Sequence, residues 1–239
     1  MQGASFLDLV GFGPEGWGAA LLMATGMTLA VATGGFAAGS VIGAGITTAK
    51  LSRSRFLRAF GDGYTTVLRG IPDLLVIYLF YFGGSAALGA IGRLFGAQGF
   101  IGMPAFITGV LAFGVVSGAY QAEVFRGAFN TISRGELEAA RSVGMTTWLR
   151  FRRIIAPQVL RYAIPGLGNT WQLVLKESAL ISVTGLVELL RQSQIAAGST
   201  SRPFDFYVTA AALYLVITAV SSYLFRQAEA HSMRGVRRA

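Results

Sequence analysis

The chain has 239 residues, enough for one ordinary domain. Charged residues make up 13% and hydrophobic residues 53%. So few charges cannot cover a soluble surface, which excludes a soluble enzyme and a disordered protein. Cysteine is absent and His231 is the single histidine, so disulfides, thiolate chemistry and a multi-histidine metal site within one chain are excluded. The net charge of +9 suggests nucleic acid at first sight. With a mean hydropathy of +0.57, it reads better as basic loops on the cytoplasmic side of a membrane. No signal peptide is visible, because the first seventeen residues carry Asp8 and Glu15 but no Lys or Arg.

Stretches free of Asp, Glu, Lys and Arg mark the expected spans: Gly16–Ala49, Leu74–Gly92, Leu94–Ala122 and Phe206–Phe225. A span needs about 20 largely apolar residues. The first stretch therefore gives one span with a surface entry segment. The third opens on a loop, Gly96–Pro104, and its span is about Pro104–Phe125. Tyr162–Leu190 is apolar apart from Lys176, Glu177 and Glu188, and supplies another span with charge inside it. Span one is rich in small residues, including the G-x-x-x-G of Gly35–Gly39, which favours close helix packing.

Basic residues set the orientation. Lys50, Arg53, Arg55 and Arg58 follow span one. Arg126, Arg134, Arg141, Arg150, Arg152, Arg153 and Arg161 fall between the third and fourth spans, and Arg226, Arg234, Arg237 and Arg238 follow the last. Only Arg93, Arg191 and Arg202 lie on the other side, a balance of fifteen to three. The expected fold is all-α and integral to the membrane. It has five transmembrane helices, a periplasmic N-terminus and a cytoplasmic C-terminus.

The loop at about 129–161 is the most informative segment. Ser133 with Glu136 forms a capping-box pattern, Glu136–Val143 reads as a short helix, and Gly144 suits its C-terminal turn. Thr146 or Thr147 starts a second helix with Trp148, Phe151, Ile154 and Ile155 at helical spacing. Pro157 breaks or kinks it. A plainer reading is a solvated basic loop on lipid headgroups. The spacing of Glu138, Ala139, Ala140, Gly144, Ile154 and Pro157 weighs against that, with odds on the order of one in 100,000 under average usage. These residues resemble the EAA loop of ABC importer permeases, with Ala156 where the family usually has Leu.

The resemblance covers nearly the whole chain. Tyr64-Thr65-Thr66, Arg69-Gly70-Ile71-Pro72-Asp73, Gly118 through Gly127, Pro165 through Gln172, and Lys176-Glu177-Ser178 look like the polar amino-acid uptake branch. That branch includes the first membrane subunits of histidine/lysine/arginine/ornithine and of octopine and nopaline uptake. The resemblance implies a single type I importer permease domain over residues 1–239, in the bacterial inner membrane. It would work with a second similar permease, identical or not, two cytoplasmic ATPases and a periplasmic binding protein. ATPase coupling would fall to the six loop residues. The chain itself would need no cofactor, with ATP and Mg on the partner ATPase. Independently, a P-loop is impossible: the two lysines follow Ala49 and Leu175, not glycine.

Charges at membrane depth are costly, at about 2.5–3.5 kcal/mol each on insertion scales. Lys176 and Glu177 fall near the middle of the predicted fourth span, and Asn169, Gln172 and Lys176 share a face at i, i+3 and i+7. Glu177, Lys176, Gln172, Asn169 and Asp73 are therefore the candidate substrate-binding residues, set against a reading in which the charges pair with neighbouring helices. Arg69 and Asp73 straddle Pro72, which is expected to kink span two. Glu123 and Arg126 are expected to form an i, i+3 salt bridge. A membrane enzyme acting on lipid-linked substrates would need clustered catalytic groups, poorly met without Cys and with one tail His. A secondary carrier is disfavoured by the absence of an internal repeat. The charge asymmetry makes a direct prediction. A reporter fused after Ala239 should read cytoplasmic and one at Gln2 periplasmic, and finding both on one side would reject an odd number of spans.

Overall fold

The computed structural model describes residues 5–96 and 98–233, and every element in it is helical. The order is α1 (Phe6–Val10), α2 (Gly18–Lys50), α3 (Arg55–Gly70), α4 (Asp73–Leu94), α5 (Ala105–Asn130), α6 (Arg134–Ser142) and α7 (Thr147–Arg150). A π-helical turn, Phe151–Ile155, leads into α8 (Ala156–Glu177); a 3-10 segment, Ser178–Thr184, then precedes α9 (Leu189–Thr200) and α10 (Pro203–Ser232). Arg234, Arg237, Arg238 and both chain ends used in the orientation argument lie outside the described residues.

Among the described residues, four helices are long and apolar enough to cross a membrane: α2, α4, α5 and α10. The first is continuous over 33 residues, about 50 Å at 1.5 Å per residue, with no separate entry segment inside it. The pattern of exposure suits lipid. Phe82 is 61% exposed and Leu215 69%, while the described interior holds buried Thr28, Ser117 and Gln121.

Three sequence expectations are corrected. The stretch Tyr162–Leu190 is not one continuous helix. Helix α8 stops at Glu177, the 3-10 segment ends at Gly185 in the left-handed region (φ 90°), and Glu188 caps a new helix. Lys176 and Glu177 therefore sit at the end of a helix rather than in the middle of one. Pro72 does not kink a span. It is the N-cap of α4, two residues beyond the end of α3, where its missing N–H costs no helical bond. The basic stretch after span one is not a plain loop, since Arg55–Gly70 is an amphipathic helix lying against α2 and α5.

The central contact is α2 against α5. A Cβ built on Gly35 would stand 2.6 Å from Phe113 Cβ, and one on Gly39 2.0 Å from Ser117 Oγ. From α5, a Cβ on Gly114 would meet Ala38 at 2.9 Å. The two backbones meet where neither helix carries bulk, as the small-residue pattern predicts. Polar groups then reach across. The Ser40 hydroxyl donates to Gln121 Oε1 at 2.7 Å, Gln121 Nε2 to the Phe36 carbonyl at 3.0 Å, and Thr47 Oγ1 to the Ala122 carbonyl at 3.0 Å. Around this pair, α4, α8 and the 3-10 segment close a core of Val31, Ile77, Phe113, Val116, Leu175 and Ile181.

A second core holds Leu9, Leu21, Leu189, Ala197 and Phe206 at the α9 end. It is organised by Glu188, which is fully buried. The Glu188 carboxylate accepts from the N–H groups of Leu190 and Arg191, both at 2.8 Å, and from Tyr214 Oη at 3.2 Å. Thr28 Oγ1 accepts from Leu189 N at 3.1 Å. The acid read in the sequence as an interruption of a span is an N-cap that ties α9 to α2 and α10.

Gly35→Val puts branched bulk against Phe113 and should destabilise the fold by about 1–3 kcal/mol, the usual cost of overpacking. Gly45→Ala, where nothing lies within 4 Å, should leave the melting temperature unchanged or slightly raised. Thermal unfolding of both variants in the same detergent checks the contrast.

Candidate functional site

Two groups of residues carry the chemistry, and they stand at opposite ends of α8. At its start is the bracket of α6 and α7. Ser133 Oγ accepts from Glu136 N at 3.4 Å, half of the expected capping box. The Glu136 carboxylate instead accepts from Gln158 Nε2 at 2.7 Å, which fastens α6 to α8. The observed first helix, Arg134–Ser142, is shifted slightly from the expected Glu136–Val143. It ends as the glycine requires: Gly144 has φ 76°, its N–H donates to the Arg141 carbonyl, and Met145 N donates to Ala140 O. That double bond pattern is a Schellman turn. Thr146 caps the second helix, accepting from Leu149 N at 3.3 Å.

The π-helical turn answers the expected break at Pro157. The proline falls in the first turn of α8, and the widened turn before it lets the helical backbone run on past a residue that has no N–H to donate. Of the six loop residues, Glu138, Ala139, Gly144 and Pro157 are exposed, Ile154 is half-buried and Ala140 is buried. Trp148 and Phe151 stack with ring centroids 5.8 Å apart and remain largely exposed. The bracket thus has an inner anchor in Ala140 and an outer surface that mixes Glu136, Glu138 and exposed arginines with aromatic area.

At the other end, Glu177 closes α8 and Asp73 opens α4, and the two acids lie close enough to act on each other's charge. Asp73 Oδ2 is buried without a hydrogen-bond partner. Tyr120 of α5 lies in the field of both acids and of Arg69, and the Arg69 guanidinium carbon stands 5.2 Å from its ring centroid. Tyr120 falls within the Gly118–Gly127 motif, which gives it no role by itself. Nothing in its local pattern shows that α5 carries it to the α4 and α8 ends.

The remaining candidates go elsewhere. Gln172 lies five residues before Glu177, about 140° around the helix. It turns to α10, donating to Ser222 Oγ at 3.1 Å and the Thr218 carbonyl at 3.4 Å. Asn169 lies beside it along the same α8–α10 cleft, and Lys176 is exposed. The structure therefore brings Asp73 and Glu177 together and holds Asn169 and Gln172 apart from them.

The expected Glu123–Arg126 ion pair forms at 2.6 Å, as part of a larger cluster. Lys50, at the end of α2, pairs with Glu123, contacts Asp62 at 3.0 Å and donates to Thr65 Oγ1 at 2.8 Å. One nearly buried ammonium thereby fastens α2, α3 and α5, although the sequence shows it only as one of the basic residues that follow span one.

These features have counterparts in known proteins. Residues 39–235 match the family described as the binding-protein-dependent transport system inner membrane component. Over 233 residues the chain is 60% identical to the octopine transport system permease protein OccQ of Rhizobium meliloti, covering 98% of each. It is 47% identical over 232 residues to the nopaline transport system permease protein NocQ of Agrobacterium fabrum, covering 97% of this chain and 98% of that one. It is 40% identical over 199 residues to the histidine/lysine/arginine/ornithine transport system permease protein HisQ of Escherichia coli, covering 83% and 86%. A crystal structure of an amino acid ABC transporter with histidines superposes with a TM-score of 0.78 at 33% identity, over 95% of this chain and 99% of that one. The chain belongs to the inner-membrane components of binding-protein-dependent transport systems and is a permease subunit of an ABC importer, with ATP hydrolysis carried by a separate subunit.

Proposed function

We propose that this permease passes polar amino acids with cationic side chains, or their opine-type conjugates, by alternating access. The observation that carries the substrate class is the meeting of Asp73 and Glu177. Two carboxyl groups side by side repel when both are ionised, and a guanidinium or ammonium group relieves that repulsion while donating charge-assisted hydrogen bonds to them. Asp73 has support from the N-terminal end of α4, whereas Glu177 stands at the C-terminal end of α8, where a helix disfavours negative charge. Among the described residues neither acid has an ion-pair partner, although Lys176 lies close enough to Glu177 to act on its charge. Arg69, laid across Tyr120, offers the complementary donor for the substrate α-carboxylate. The relatives named for octopine, nopaline and histidine/lysine/arginine/ornithine transport support the same class.

The coupling path follows the chain. The bracket joins the end of α5, which carries Tyr120, to the start of α8, which ends in Glu177. In the proposed cycle the ATPase dimer closes on ATP and Mg, Glu138 holds a basic group on it, and the bracket moves as one piece. Helices α5 and α8 then carry that displacement about 33 Å to the acidic pair, opening it outward to a loaded periplasmic binding protein. Hydrolysis resets it inward. In this reading α2, α4, α5, α8 and α10 are the five spans, with the N-terminus outside. A second permease, identical or similar, completes the pathway above two ATPases.

Glu177→Gln should reduce uptake of cationic amino acids about tenfold or more, since a hydrogen bond to a charged group contributes about 1.5–3 kcal/mol. Assembly and basal ATP hydrolysis should be unchanged. Uptake and melting temperature measured on the same preparation decide it: unchanged uptake with lowered stability would assign the pair to packing.

Glu138→Lys and Gly144→Asp should abolish transport while the membrane subunits still assemble. The first reverses the docking charge, and the second places a side chain at φ 76°, a conformation that disfavours one. Normal substrate-stimulated ATP hydrolysis in both variants would remove the coupling role.

A further inference from the structure

The cleft between α8 and α10 is separate from the acidic pair and from the bracket surface. It encloses about 240 Å³ and has one apolar wall, formed by Ile164, Pro165 and Phe225. Its other wall is polar, with Arg226 and Glu229 contributed by α10. These two are i, i+3 and share a helix face. Neither takes part in an ion pair among the described residues. Gln172 also borders the cleft; its amide nitrogen is used by α10, while its Oε1 is buried with no donor. The cleft therefore offers one cationic donor and an excess of acceptors, side by side, over an apolar surface.

Its position fixes the ligand further. Arg226 is the first charge after the apolar run that ends at Phe225, so it marks the edge of the hydrocarbon region. Tyr223, exposed nearby, suits the same level. Seven residues before Ser222, on the same face, Leu215 is 69% exposed and continues an apolar track towards the membrane interior. We propose that this cleft binds the headgroup of a phospholipid bearing a primary ammonium, phosphatidylethanolamine in chemical class. The phosphate meets Arg226, the ammonium meets Glu229, and an acyl chain lies over Phe225 and the track beyond it. A free amino acid has both charges but no chain for the apolar wall.

The test uses the intact importer in nanodiscs containing equal amounts of phosphatidylethanolamine, phosphatidylglycerol and phosphatidylcholine, followed by native mass spectrometry of retained lipid. The wild type should retain phosphatidylethanolamine over the other two by about fivefold, within the range that a charge-assisted contact supplies. Arg226→Ala and Glu229→Gln should each return retention to the bulk ratio with the subunits still assembled. Retention of all three lipids in the bulk ratio by the wild type would overturn the proposal without any variant being needed. So would unchanged preference in both variants, or displacement of the lipid by a millimolar zwitterionic amino acid.

Discussion

The close approach of α2 and α5 sets the rest of the molecule. In lipid there is no water to drive two helices together, so association rests on backbone contact and on polar groups that find partners across the interface. Gly35, Gly39 and Gly43 form one ridge of α2 at intervals of four. Opposite them α5 presents Gly114, Gly118 and the buried Gln121. The Gln121 amide is satisfied on both sides, by the Ser40 hydroxyl and the Phe36 carbonyl. The most enclosed of the four apolar helices is α5, and α3, α4 and α8 all pack on its remaining sides.

The acidic pair follows from where helices stop. A continuous helix satisfies its own backbone and points side chains only sideways. Here α3 ends before Ile71-Pro72 and α8 gives way to a 3-10 segment at Ser178. The two ends bring Asp73 and Glu177 to one place beside α5. The broken backbone is tolerated because it is packed against protein. Ser178 is fully buried and its hydroxyl donates to the Leu175 carbonyl at 2.7 Å, and Glu188 satisfies the donors at the start of α9.

The bracket is stiff for local reasons. Its two short helices have a capping residue each, a Schellman turn between them and a Glu136–Gln158 bond back to α8. A helix of nine residues would be marginal alone in water. Here Ala140 is buried and the turn leaves little freedom, which holds the two short helices in a fixed relation to α8. The Lys50 cluster fastens α2 and α3 to α5 through Glu123, so α5 is held from the side as the bracket holds it from its end.

The sequence by itself determined what is local or compositional. The apolar runs located α2, α4, α5 and α10, because a membrane span is legible from about 20 residues without knowledge of its neighbours. Ser133, Gly144 and Thr146 announced the bracket, because caps and left-handed turns are set by individual residues. The small-residue stripe announced a close contact without naming α5 as the partner. Only the tertiary structure decided where α8 stops, since an apolar run with two adjacent charges reads equally as a span or as a helix that breaks. It also decided that Glu188 is a helix cap rather than a charge within a continuous helix, that Lys50 is buried in an ion cluster, and that Tyr120 joins Asp73 and Glu177 while Gln172 turns to α10. In each case the deciding quantity is a contact between residues far apart in the chain. Its free energy depends on which groups are desolvated together, and that is absent from any short window of sequence.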